Sequence, residues 1–376
     1  MRRRAIEPRG DWRARVEAQG LVFHTNPETG TYWAEGTYYE FTPDEALAIE
    51  TATAELHALA LRAVAHVIEH RRYAELDLGP LAIELVERSW REQAPALYGR
   101  MDLAFGDGVP KLLEYNADTP TSLLEAGVIQ WTWQAECAPD ADQANAVHDR
   151  LIATWRALAP RLAELVHFAW VHDLEDEMTV GYLRDTAQQA GIATAAIAME
   201  DVGWDGGELV DLEGRPIATL FKLYPWEGLV LDELAPVLPR VGTRWLEPAW
   251  KMILSNKAIL PILWELAPGH PNLLPASREA GAVGPAWVRK PLLGREGSNV
   301  TVVAPGVETA TTGPYTDRGY VYQAYAELGD HDGMRPVIGS WVIGGEPAGI
   351  GIRETAGYVT SNTARFVPHV VRPRVE

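Results

Sequence analysis

A chain of 376 residues that is 47% hydrophobic and 23% charged has an average globular composition, long enough for two or three domains or one large enzyme fold. Its 52 acidic residues against 33 basic ones give a net charge of −19, which argues against nucleic acid or an anionic membrane as partner and leaves open cationic ligands and local phosphate pockets. The single cysteine, Cys137, excludes an intrachain disulfide framework and a cysteine-based zinc cluster, and with no partner histidine identifiable it reads as an inert thiol beside a turn.

The basic start Met1-Arg-Arg-Arg is followed by no apolar stretch before Gly20, and no segment approaches the ~18 consecutive apolar residues of a membrane span. A cytoplasmic enzyme is the expectation. Aromatic residues then alternate with polar ones at Phe23, Tyr32, Trp33, Tyr38, Tyr39 and Phe41, as in half-buried strands. Thr42 as N-cap, Pro43 and Glu45 form a capping box that opens a helix, and apolar residues from Ile49 to Val67 carry one face of it to about Arg71. A second helix is predicted over 79–94, strands over 98–105 and 110–116, and helices over 121–136 and 141–166. Strands at His167–Val171, Thr194–Met199 and Ala218–Tyr224 alternate with a helix at Glu175–Gly191, the rhythm of a mostly parallel sheet with helices against it. A helix from about 246 to Leu266 precedes antiparallel-type strands at Ala286–Lys290, Asn299–Val303, Tyr320–Tyr325, Val337–Ile343 and Ala348–Arg353. The main boundary falls near 215.

The segment from Tyr98 to Ser122 is the most informative. Two alternating strands flank Gly106-Asp107-Gly108, a hairpin signal. Folding about 108 opposes Arg100 to Asn116 and Asp102 to Glu114, because opposed numbers in an antiparallel pair have a constant sum. All four side chains then share one face, with Leu103, Phe105, Leu113 and Tyr115 on the other. Two carboxylates opposed at ~5 Å are unfavourable unless positive charge sits between them. Asp102, Glu114 and the Asn116 amide oxygen suit a hard cation such as Mg²⁺, which would itself predict a nucleotide phosphate nearby. The alternative is a solvated face on which Arg100 neutralises one acid.

Only five lysines occur (Lys111, Lys222, Lys251, Lys257 and Lys290), so each is more informative than usual, even where genome composition is the cause of the bias. Lys290 ends an apolar strand and precedes a loop with Gly294 and Gly297. Such loops let backbone N–H groups approach phosphate, although the order is not that of a Walker A loop and an exposed turn explains it as well. The run Gly349-Ile-Gly351-Ile-Arg353-Glu354 suggests close approach of backbone or ligand, with Arg353 placed to hold a carboxylate or a transferring phosphoryl group, or else only to pair with Glu354.

Together the blocks Arg100-Met-Asp102, Glu114-Tyr-Asn-Ala-Asp-Thr-Pro, Phe221-Lys222-Leu-Tyr-Pro-Trp-Glu227, Asn256-Lys257, Arg289-Lys290-Pro-Leu-Leu-Gly-Arg-Glu-Gly-Ser298 and Gly351-Ile-Arg353-Glu resemble the ATP-grasp synthetase domain of the glutathionylspermidine synthase family, and the likeness spans nearly the whole chain. The resemblance implies a mixed α/β (α+β) ATP-grasp fold, glutathione-synthetase-like, with a pre-ATP-grasp and substrate region over 1–215 that includes the hairpin 98–116. The nucleotide-binding region would cover 216–376, with its lid at 286–303. It implies an ATP-dependent carboxylate–amine ligase working through an acyl phosphate, with two Mg²⁺ on Asp102, Glu114 and Asn116. ATP would meet Arg100, Asp102, Lys257, Lys290, Gly297, Ser298, Gln323 and Ala326, and Arg100 and Arg353 would stabilise charge in the transfers.

The bifunctional members carry an amidase domain, for which this chain has neither room nor a suitable cysteine, so glutathione and spermidine cannot be carried over as substrates. A small or peptide-like acid is expected at Thr119 and Thr121, with Lys222 a further substrate candidate. An amine, a polyamine being one candidate, is expected at Glu175-Asp176-Glu177, which equally suits an acidic first turn of a helix. Two other readings stay open: a catalytically silent ATP-binding partner protein, and a carboxylate kinase that releases acyl phosphate.

Overall fold

A computed structural model describes residues 1–26, 30–315 and 318–373. Strand β1 (Arg2–Ala5) and helix α1 (Trp12–Ala18) lead to strand β2 (Thr37–Phe41), so the aromatic opening holds a helix as well as strands. Helix α2 (Pro43–Glu69) starts as its sequence dictates: the Thr42 hydroxyl accepts from the Glu45 N–H at 3.2 Å, and the Glu45 carboxylate accepts from the Thr42 N–H at 2.9 Å. Helix α3 (Pro80–Arg91) follows, then the hairpin of β3 (Tyr98–Ala104) and β4 (Lys111–Asn116).

The helix expected over 121–136 starts at Leu123 and passes through a π turn at Glu125–Ile129 before α4 (Gln130–Cys137), and the one expected over 141–166 shrinks to α5 (Val147–Leu158). Strand β5 (Leu165–Trp170), helix α6 (Leu174–Gln189) and strand β6 (Ala193–Ala198) form a parallel unit. A short ribbon of β7 (Gly203–Trp204) and β8 (Leu209–Val210) precedes β9 (Thr219–Leu223), α7 (Trp226–Leu229) and β10 (Arg244–Leu246). The long helix expected to Leu266 is broken into a 3₁₀ turn at Ala249–Lys251, α8 (Met252–Ser255) and α9 (Ile259–Leu266). The cause is local. The Asn256 side chain accepts from the Ala258 N–H at 2.9 Å and donates to Leu76 O at 2.8 Å, while the Lys257 N–H leaves the helix for Leu292 O at 2.9 Å.

The rest is strand: β11 (Ala276–Ser277), β12 (Trp287–Pro291), β13 (Thr301–Ala304), β14 (Val307–Ala310), β15 (Tyr320–Ala324), β16 (Arg335–Ile343), β17 (Glu346–Thr355), β18 (Arg365–Val367) and β19 (His369–Val371). Among the described residues three larger sheets result: parallel β10-β9-β5-β6, antiparallel β11-β15-β12-β13-β14, and antiparallel β18-β17-β16-β3-β4; a smaller one joins β1-β2-β19. The hairpin, from the first third of the chain, is thus completed by strands from the last sixth, β3 lying beside β16. No helix among the described residues is long and apolar enough to cross a membrane.

The hairpin register is as expected at Arg100↔Asn116 and Asp102↔Glu114, but a bulge after Asp102 shifts it to Leu103↔Leu112. The expected apolar face changes accordingly. Leu112 joins Leu103 and Phe105 in the core, and Leu113 turns outward to line a cavity. At the turn, Gly106 lies so close to the 327–329 loop that a Cβ on it would sit 2.3 Å from Glu327 O and 2.9 Å from Gly329 N. Gly106→Ala should therefore destabilise the fold by about 1–3 kcal/mol, seen as a lower urea midpoint at unchanged slope; an unchanged midpoint would show that the loop yields without cost.

Candidate active site

A cavity of about 660 Å³ lies where the β3–β4 face meets β12 and β15, a size suited to a cofactor or a substrate pair. The two sheets are stitched along the exposed edge of β4. Lys290 Nζ donates to Leu113 O at 2.8 Å and to Gln323 Oε1 at 2.9 Å, and Gln323 Nε2 donates to Leu112 O at 2.8 Å. Two sequence-selected residues therefore satisfy backbone carbonyls that β4 would otherwise present unpaired.

On the shared hairpin face Asp102 is gripped from two sides. Arg100 Nε donates to Oδ1 at 2.8 Å and Arg353 Nη2 donates to Oδ2 at 2.6 Å. Arg100 is itself buried, donating to Thr121 O at 2.7 Å and passing over the Trp341 ring. It fits because β16 offers Gly339 opposite Asp102, where a Cβ would approach Arg100 Cδ to 2.7 Å. Glu114 accepts from Lys257 Nζ at 3.0 Å, an approach made possible by the helix break at Asn256. Asn116 Nδ2 donates to both carboxylates, at 3.3 Å to Asp102 and 3.1 Å to Glu114.

Burial disfavours ionised Glu114, but Lys257 and Lys290 outweigh it and hold the carboxyl well below its usual range. Burial likewise pushes Lys290 down to about 8, opposed by Glu114 and reinforced by Lys257. The donor set of two carboxylates and an amide oxygen fits a hard divalent cation such as Mg²⁺, since Glu114 is held ionised and a half-turn of the Asn116 amide would present its oxygen. The arginines and lysines that neutralise these acids are also of the kind that suits phosphate oxygens.

Around this charge cluster the cavity is divided. Leu113, Ala326, Leu328 and Val337 form an apolar patch on one side, beside Gln323. Gly294, Gly297 and Ser298 border it in a loop that leans on 359–360; with a positive φ of 68° at Gly297, a Cβ there would lie 2.6 Å from Thr360 O. The other side is polar, with Thr119, Thr121, Ser122, Asp173, Glu175 and Asp176. Asp173 caps α6, its Oδ1 accepting from the N–H groups of Glu175 and Asp176 at 2.9 and 3.3 Å, so the acidic run is a first helical turn that also faces the cavity. Burial, with repulsion from Asp173, Glu175 and Glu296, pushes the Asp176 carboxyl up to about 7 against the pull of Arg295.

Two of the expected substrate residues are elsewhere. Lys222 is fully buried, donating to Asp118 Oδ1 and Tyr224 O at 2.8 Å beneath the Trp226 ring, and Glu177 is exposed outside the cavity lining. The glycines of β17 answer to packing: a Cβ on Gly351 would meet the Phe366 ring at 2.9 Å and one on Gly349 would meet Ala144 O at 2.7 Å. Nor does Arg353 pair with its neighbour Glu354, which is buried between Arg3, Arg365 and Tyr39.

Sequence reasoning missed Arg295, which donates to Thr119 Oγ1 at 2.8 Å and pairs with Glu227 at 2.5 Å, although both lie inside the blocks that carry the resemblance. It also missed Tyr32, which lines the cavity and whose hydroxyl donates to buried Glu125 at 2.5 Å. Burial pushes Glu125 up to about 7, and no pattern links residues so far apart in the chain.

The family model for the glutathionylspermidine synthase preATP-grasp matches residues 3–372. The chain is 44% identical over 359 residues to a putative acid–amine ligase of Haemophilus influenzae, covering 91% of both chains. It is 30% identical to the trypanothione synthetase of Crithidia fasciculata, over 88% of this chain and 56% of that one. It is 28% identical to the bifunctional glutathionylspermidine synthetase/amidase of Escherichia coli, over 95% of this chain and 62% of that one. The chain thus spans nearly all of the first relative and little more than half of the other two.

Asp176 gives the site a pH signature. Its carboxyl titrates near 3.8 when unfolded and near 7 when folded, so across that window the native chain binds more protons and this group's contribution to stability falls as pH rises, the loss being complete above about pH 7. Asp176→Asn should raise the melting temperature at about pH 8 and leave it unchanged at about pH 4, as differential scanning fluorimetry would read; an equal gain at both would assign the effect to something other than ionisation.

Proposed function

The chain belongs to the glutathionylspermidine synthase family, ATP-grasp enzymes that join a carboxylate to an amine at the expense of ATP, and from that premise we propose that the main cavity is the ligation site. The γ-phosphoryl group of ATP moves to a substrate carboxylate oxygen, leaving ADP and an acyl phosphate. The amine nitrogen then attacks the acyl carbon, the bond to phosphate breaks, and an amide, phosphate and a proton leave.

The observation that carries this reading is the opposed Asp102–Glu114 pair on which Arg100, Arg353 and Lys257 converge. Asp102, Glu114 and Asn116 would hold Mg²⁺, two ions being expected, and the metal when bound would neutralise triphosphate charge. Lys257, Lys290 and the Gly297–Ser298 loop would then hold phosphates, and Gln323, Ala326 and the adjoining apolar patch would take the base. Arg100 and Arg353 stabilise charge developing in both transfers, fixed donors in a buried site being worth more than the same groups in water. Thr119 and Thr121, with Arg295 beside Thr119, orient the acid. Glu175 and Asp176 attract the amine, which favours a ligase over a carboxylate kinase. Both 1–215, through its hairpin, and 216–376, through its lysines and loop, contribute to the site.

The substrates proposed are a small or peptide-like acid and an amine, with polyamines foremost among the amines. Measuring ADP release with Mg-ATP across a grid of acids and amines, glutathione and spermidine included, should show turnover only when both are present. Asp102→Asn and Glu114→Gln should each lower kcat by about 10²-fold or more while the circular dichroism spectrum is retained. Unchanged turnover in both variants would overturn the assignment, and ATP binding with no turnover anywhere in the grid would favour the silent-partner reading.

A further inference from the structure

A second cavity, of about 350 Å³, lies between α3, the turn after α5, β9 and β10, and shares no lining residue with the main one. In a chain of net charge −19 its lining inverts the sign, with Arg88, Arg161 and Arg244 against the single acid Glu92. None of the three guanidiniums pairs with a carboxylate among the described residues. Arg88 donates to Pro239 O at 2.8 Å and Leu238 O at 3.2 Å, Arg161 donates to Gln93 O at 2.7 Å, and the Arg244 side chain has no hydrogen bond or ion pair with any described residue. An arginine carries five N–H donors, so each keeps donors for a ligand. Below them Trp226 and Trp245 are buried with ring centroids 5.2 Å apart. The Trp226 indole donates to Glu247 O at 2.9 Å, whereas Trp245 Nε1–H is buried without an acceptor among the described residues.

We propose that this cavity binds a small organic anion, a carboxylate on an apolar or aromatic body, and that its occupancy is felt in the main cavity. The arginines suit the carboxylate oxygens, and the apolar part of the lining, Leu85, Leu162, Ala218 and Pro248, suits the body. The route between the cavities is short. Trp226 N–H donates to Asp118 Oδ2 at 2.9 Å, and the next residue, Glu227, pairs with Arg295 in the main cavity wall. A ligand that shifts Trp226 therefore bears on Arg295 and Thr119, and linkage requires the effect to run both ways. The coupling rests on the main cavity being the ligation site; the binding does not.

Isothermal titration of the full chain with 3-phenylpropionate, with 3-phenylpropionamide as the neutral control, tests the site. Saturable one-site binding of the acid but not the amide is expected, weakened about tenfold or more by Arg244→Gln and by Arg161→Gln, and retained in Lys290→Ala. No saturable binding, equal binding of the amide, indifference to both arginine substitutions, or loss in Lys290→Ala would overturn the site. In steady-state assays Arg244→Gln should leave basal turnover unchanged while abolishing a probe-induced change in substrate KM seen in the parent. Binding without any such change would overturn the coupling and leave the site standing.

Discussion

Two carboxylates placed opposite each other on one face of a hairpin are the constraint around which this molecule is organised. Once Asp102 and Glu114 are opposed, their repulsion and desolvation demand cations, and no single neighbouring segment supplies enough of them. Arg100 comes from the same strand, Lys257 from a broken helix, Lys290 from a different sheet and Arg353 from a strand near the chain's end. An assembly that must gather four cations from four parts of the chain around two acids is also one whose cations can be shared with phosphate, because the charges are already desolvated and oriented.

Departures from regular structure do much of the positioning. A bulge after Asp102 keeps the acids opposed while rotating Leu112 into the core and Leu113 toward the cavity. The interruption at Asn256 takes Lys257 out of a helical run and aims it at Glu114 and at Gly294 O, 2.7 Å away. Gly339 leaves the space that buried Arg100 occupies. Each irregularity costs local regularity and is held by tertiary contacts, as expected where function and folding compete.

The aromatic and arginine-rich second cavity shows the same economy of connection. Trp226 belongs to its wall and is one residue from Glu227, whose partner Arg295 belongs to the other cavity. One short helix is thus tied to the second cavity directly through Trp226 and to the wall of the main one through the Glu227–Arg295 pair.

The sequence by itself determined what is local and periodic. The capping box at Thr42, the βαβ rhythm and the opposition of Asp102 to Glu114 all follow from residue spacing, because strand period and turn position fix which side chains meet. The blocks around Glu114, Lys257, Lys290 and Arg353 were legible as a family likeness. Only the tertiary structure decided which of these groups touch. It sent Arg353 to Asp102 and not to its neighbour Glu354, withdrew Lys222 into a buried pair with Asp118, and brought in Arg295, Tyr32 and Glu125, which no spacing announces. The reason is physical: a long charged side chain can reach any of several partners, and the choice is made by which of them burial leaves without water, a property of the assembled sheets and not of any stretch of chain.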